Sequence, residues 1–432
     1  MTFFFLMIFA VLTLWRPQEW LFPSLFGWPL LDVVTGFAVL SFVIEKDQGR
    51  IQFPSRIPQI YLLIGLWIAS MMSHVAHTYF AGLMLTFTDV LKPVVFSILL
   101  IATLNQPWRL RAVAWLFVLI ACIMTWHCLM QQKTGYGFAG FPPIVGINEK
   151  NELVNRSLFF GIFGDPNDTA QFLGTAIPFA FCLFKKRRWY SFVAGGLVAY
   201  FLVKGILSTG SRGGWLGMMA TFACLSFAFF PPRLYPVMMA GMLGGFLLMC
   251  PAMSGKLDKS AGDRVAIWGQ ANYAFKQTPV FGVGLNMIPD YIEESRAPHN
   301  AYVLCYSETG LFGYWFWFGL VALGFSGVLR AASLLQMPRN DDEQSLRWFS
   351  SMAIAAMTSY MVSSYFIGRA YVFPTYILFS VMAGIPYVLQ HLRPDEDLDL
   401  FPAQKKFIVM NTIFSVASVM YIYFSIIMLN TG

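Results

Sequence analysis

Apolar runs recur along the chain at 3–15, 28–44, 57–72, 87–104, 110–129, 167–184, 190–207, 213–230, 234–252, 301–328, 348–366, 371–390 and 407–429. Crossing the hydrocarbon of a bilayer takes about 20 residues of helix. The runs at 3–15 and 57–72 fall short of that, so the pattern predicts twelve or thirteen transmembrane helices. Most polar breaks between runs are short. Two are longer, at about 130–166 and 253–298. The expected fold is therefore an all-α polytopic membrane protein. It forms a single integral domain over 1–432, with one modest loop region near 253–298 carrying part of any site. No long repeat, heptad or low-complexity segment interrupts the pattern.

Composition agrees with lipid as the solvent. Hydrophobic residues make up 57% and charged residues 12% of the chain, against about a quarter charged in soluble domains. The net charge of +7 comes with no basic stripe or nucleic-acid motif, which excludes a nucleic-acid partner. Much of it sits in short loops, where it sets orientation. Placing Lys185-Lys186-Arg187-Arg188 in the cytoplasm and alternating outward puts Lys46, Arg50, Arg56, Arg109, Arg111, Arg233, Arg330, Arg339, Arg347, Arg393, Lys405 and Lys406 on the same side. The two longer loops and the turn at 208–214 then face out. The opening MTFFFLMIFAVLTLW has no basic leader and no small-residue cleavage site, so it reads as a retained first helix. Six cysteines, none in a CxxC pair, read as helix-packing residues.

Few side chains can carry chemistry. His391 reads as a solvated loop residue and His127 as a packed interfacial one. His74 and His77 lie one turn apart without a third ligand, which disfavours a metal there. Asp89 and Lys92, also one turn apart, are expected to pair, and Lys204 either snorkels or joins a site. His299 opens a long apolar helix in RAPHNAYVLCYSETGLFG, beside Asn300. A helix start suits an anion, but a plain helix-start role for either residue is an equal reading. Arg212 stands among glycines in STGSRGGWLG, where an intramembrane arginine needs a partner or a wet cavity, or snorkels. Arg264 follows Asp263, with which a salt bridge is the simpler reading. All three fall on the predicted outer side. Two arginines and a histidine there suit a lipid-linked pyrophosphate, since guanidinium forks grip phosphate oxygens and neutral imidazole takes a proton. The dense carboxylate runs, 341–343 and 395–397, fall inside, so no metal site or other cofactor is expected.

The segments SRGGWLG (211–217), DRVAIW…TPVFGVGLN (263–286), PHNAYVLCYSETGLFG (298–313) and FGDPNDTAQFLGTAIPF (163–179) resemble the O-antigen ligase and O-antigen polymerase superfamily. They cover about 160–320. The resemblance implies a metal-independent, inverting glycosyltransferase of the bacterial inner membrane, acting on the periplasmic side. Its donor would be a glycan on undecaprenyl pyrophosphate and its acceptor a glycan or lipid A–core hydroxyl. By matching position, Arg212 and Arg264 would bind the pyrophosphate and His299 would activate or orient the acceptor, with Asn300 and Asn167 as supporting substrate-binding residues. An outer loop of about 45 residues disfavours the branch that glycosylates protein hydroxyls and does not separate ligase from polymerase. A transporter or flippase of lipid-linked sugars is the alternative from another class. It calls for midplane charges and an internal repeat, and only Asp89 and Lys92 answer to that.

Overall fold

The computed structural model describes residues 1–147, 153–184, 189–230, 259–293 and 295–431. The predicted run at 234–252, the basic cluster 185–188, Arg233 and Cys250 lie outside these. The other predicted runs correspond to helices: α1 (Thr2–Leu14), α2 (Leu30–Asp47), α3 (Gln59–Val75), α4 (Phe80–Thr103), α5 (Pro107–Thr134), α6 (Pro166–Phe179), α7 (Trp189–Thr209), α8 (Arg212–Phe229), α10 (Ala301–Leu334), α11 (Asp341–Ser363), α12 (Phe373–Leu392) and α13 (Gln404–Thr431). Among the described residues, six helices are long and apolar enough to cross a membrane: α4, α5, α7, α10, α12 and α13. Two more, α1 and α3, are apolar but shorter. The protein is an all-α, multi-pass membrane protein.

The polar breaks start these helices. Asp165 caps α6 by accepting from the Asn167 N–H at 2.6 Å, with Pro166 in the first turn. Ser211 caps α8 through the Gly214 N–H at 3.0 Å. Asn300 caps α10 through the N–H groups of Tyr302 and Val303 at 3.0 and 3.1 Å. Asn340 does the same for α11 at Glu343. Each supplies an acceptor to amides that have no partner inside the helix.

The two longer polar stretches hold more structure than a loop. The segment 130–166 contains an antiparallel hairpin, β1 (Ile144–Ile147) with β2 (Leu153–Arg156). The segment 253–298 contains α9 (Lys259–Gln277). Its core side is a stripe of Val265, Trp268, Ala271 and Phe275, spaced three and four apart as a buried helical face requires. The charged and amide residues between them hid it from a search for continuous apolar runs.

Helix α10 is broken at Gly310, where φ is 65° and ψ −171°. The segment 279–284 fills the break. Leu311 and Phe312 donate to the carbonyls of Pro279 and Val280, while Val283 and Gly284 donate to those of Ser307 and Glu308, all at 2.9–3.0 Å. A Cβ at Gly310 would lie 2.2 Å from the Val280 carbonyl oxygen, so both the positive φ and the close approach call for glycine. His77 Nε2 lies 2.8 Å from the Gly282 carbonyl oxygen, and a Cβ at Gly284 would lie 3.0 Å from His74 Nδ1, so the histidine pair at the end of α3 abuts this insertion.

The two ends of the bundle differ in chemistry. At one end Arg393 forks onto Glu343 at 3.0 and 2.8 Å, Arg330 pairs with Asp399, and Arg111 donates to Ser345. These are basic residues of the predicted inner loops. The starts of α6, α8, α10 and α12 gather at the other end. Two expectations change. Lys92 pairs with Asp32 of α2 at 2.8 Å rather than with Asp89, because the packing of α4 brings a second acid closer than the one a turn away. His127 is buried rather than interfacial, enclosed by Phe138, Phe159 and Phe160 and accepting from the Phe138 N–H. Trp20 stacks on Phe138 and Phe160, which gives the WRPQEW segment a packing role.

Candidate active site

The start of α6 organises this end of the molecule. Asn167 Oδ1 accepts from Ser211 Oγ at 2.6 Å and from Arg156 Nη2 at 3.3 Å. Arg156 Nε donates to the Thr209 carbonyl at 3.0 Å. One amide oxygen thus ties the end of β2 to the turn between α7 and α8. At the very next residue, Asp168 Oδ2 receives Nε of Arg369 at 2.9 Å and also its Nη2. Arg369 lies in the short turn between α11 and α12.

Arg212 is the first residue of α8 and is exposed. Its helix approaches α6 so closely that a Cβ at Gly214 would stand 2.3 Å from that of Ala170. Gly213 abuts Phe366, and two residues on Gly368 abuts the Pro298 carbonyl and the His299 backbone. Arg264 lies on α9 one turn before Trp268, whose ring meets Tyr365 edge-on at 5.7 Å. Arg212, Arg264 and His299 are therefore carried by three segments that converge on the turn at 364–369.

His299 is part-buried just ahead of α10. Burial, first of all, holds its imidazole below the ordinary histidine range. The positive charges of Arg264, Arg369 and Arg296 push the same way, and only Asp165 opposes them. The ring is thus kept neutral near pH 7, the form that can accept a proton. Burial likewise works against the Arg156 cation, with Asp165 supporting it and the charge of Arg212 opposing it. A histidine ringed by guanidiniums is an environment built for an anion.

Residues 197–318 match the O-antigen ligase family. The match supports the O-antigen ligase and polymerase superfamily. It covers α7 from residue 197 on, all of α8 and α9 and the first half of α10, and so includes Arg212, Arg264, His299 and Asn300. A comparison with curated proteins returned no match. The matched family supports glycan transfer in general. Of the two asparagines expected to bind substrate, both Oδ1 atoms are engaged by protein donors, and Asn300 Nδ2 is buried with no acceptor among the described residues. Arg156, Arg296 and Arg369 are additional to the arginines expected from sequence. Arg156 and Arg296 lie in the two longer loops predicted to face outward, where basic residues run against the orientation rule, and that is the available signal; Arg369 has none.

Proposed function

We propose that the protein transfers or polymerises glycan from an undecaprenyl-pyrophosphate donor onto an acceptor hydroxyl at the periplasmic face of the inner membrane. The observation that carries this reading is His299, flanked by arginine charge within the matched segment. Arg212 and Arg264 hold the pyrophosphate. Neutral His299 accepts the acceptor's hydroxyl proton as its oxygen attacks the anomeric carbon. The bond from that carbon to the pyrophosphate oxygen breaks, the electron pair stays on that oxygen, and the guanidiniums stabilise the negative charge that develops there. One displacement inverts the anomeric centre, and no step calls on a metal. Asn167 and Asn300 act through the elements they pin. The acceptor is a glycan or lipid A–core hydroxyl, and the protein-directed reaction is the less favoured branch.

The test is transfer from a lipid-linked donor by purified protein, in EDTA, with Arg212→Lys and Arg264→Lys variants. Lysine keeps the charge and loses the fork. Each variant should lose about one to two decades in rate, the equivalent of a charged hydrogen bond worth about 1.5–3 kcal/mol. Full activity in both would remove these arginines from the site. Movement of lipid-linked sugar across liposomes without any transfer would favour the flippase.

A further inference from the structure

Arg369 has a setting that a surface arginine does not need. Its carbonyl receives the Tyr360 and Thr375 hydroxyls at 3.4 and 3.3 Å. Both groups that it presents to Asp168, Nε and Nη2, converge on a single carboxylate oxygen. The Asp168 side chain is 6% exposed and that of Arg369 35%, so the acid is sunk in the protein while the arginine side chain stays partly exposed. No protein acceptor is engaged by Nη1 among the described residues. Next door, a Cβ at Gly368 would stand 2.4 Å from the Pro298 carbonyl oxygen and 3.7 Å from the His299 Cα. The turn that carries Arg369 is thus pressed directly on the turn that carries His299.

Burying a carboxylate beside an arginine is a poor way to gain stability, because desolvation offsets the attraction. It is a good way to fix a guanidinium's direction. We infer that Arg369 is a third phosphate-binding residue of the pyrophosphate site, and that Asp168 is the positioning residue that aims its free edge at the ligand. This rests on the function proposed above. It also accounts for the FGDPND segment, which contributes one residue to each of two arginine anchors: Asn167 to Arg156 and Asp168 to Arg369.

The experiment uses full-length protein in detergent, with inorganic pyrophosphate as the probe in titration calorimetry. The lipid-linked donor serves for kinetics. Arg369→Lys should weaken pyrophosphate binding about tenfold to a hundredfold, the range for a charged hydrogen bond. It should raise the donor KM with less effect on kcat. Asp168→Asn keeps an acceptor but loses the charge, and should give a smaller rise in KM. In wild-type protein, pyrophosphate should shield Arg369 from phenylglyoxal, read by peptide mass spectrometry, which covers the case of variants that do not fold. A lower unfolding temperature with unchanged pyrophosphate affinity would make the pair a structural strut and overturn the inference. So would equal modification of Arg369 with and without pyrophosphate. If wild-type protein transfers glycan while Arg369→Lys binds pyrophosphate normally, this inference alone fails. If wild-type protein binds no pyrophosphate and transfers nothing, the proposed function falls with it.

Discussion

Gly214→Ala tests how the arginine-bearing turn is placed. The new Cβ would lie 2.3 Å from the Ala170 Cβ, whereas carbon atoms rest at about 3.5–4.0 Å. The start of α8 must therefore retreat from α6 by more than about 1 Å. Overpacking of this kind costs roughly 1–3 kcal/mol. Alanine returns about 1 kcal/mol of helix propensity at most, so a net loss of up to about 2 kcal/mol is expected. The retreat also pulls Ser211 from the Asn167 oxygen, a 2.6 Å bond, and moves Arg212 with it, so transfer should slow as well. The control is Gly196→Ala in α7, where a Cβ meets nothing within 4 Å and the same propensity gain, about 0.5–1 kcal/mol, should appear as stabilisation. The assay is the apparent unfolding midpoint in detergent, with transfer rates in parallel. Adding Ala170→Gly to Gly214→Ala removes the clash and should recover part of the loss, with a coupling above about 0.5 kcal/mol. If Gly214→Ala is as stable and active as Gly196→Ala, or the double variant is merely additive, the close approach of the two helices is wrong.

The pH profile of transfer should be flat through neutral pH and fall only below about 6.5, the ordinary histidine value, because burial and three arginines depress the His299 pKa. Arg264→Gln removes a depressing charge and should move the acid limb up in pH, while Asp165→Asn removes the one supporting charge and should move it down. Equal profiles in all three proteins would detach His299 from the rate. At the break in α10, Gly310→Ala places a Cβ 2.2 Å from the Val280 oxygen at a positive φ, so the variant should fail to accumulate as folded protein in membranes. Normal yield and a normal unfolding midpoint would contradict the inserted 279–284 segment.

Much of this architecture was legible because lipid imposes one simple requirement, a continuous apolar run. Helix starts at Asn300 and Ser211 could be read as well, since a polar residue ahead of an apolar run is the chemistry of a cap. Helix α9 was hidden because its apolar residues occupy one face only and its average is polar. The break at Gly310 was hidden because the run 301–328 continues straight through it, and only the partner segment 279–284 makes the break possible. Arg212, Arg264 and His299 could be named from local motifs. Arg369 could not, because its role depends on Asp168, two hundred residues away in sequence, and no spacing rule links them.

The central claim is that His299 handles the acceptor proton beside a guanidinium-held pyrophosphate. The most direct measurement is glycan transfer from a lipid-linked donor by purified His299→Ala and His299→Gln proteins, after size exclusion has established that they are folded. His299→Ala should slow transfer by about two to four decades and leave pyrophosphate affinity nearly unchanged. Glutamine, which hydrogen-bonds but accepts a proton poorly, should be equally slow if His299 is the base, and near normal if it only orients the acceptor. A folded His299→Ala protein transferring at the wild-type rate would contradict the mechanism.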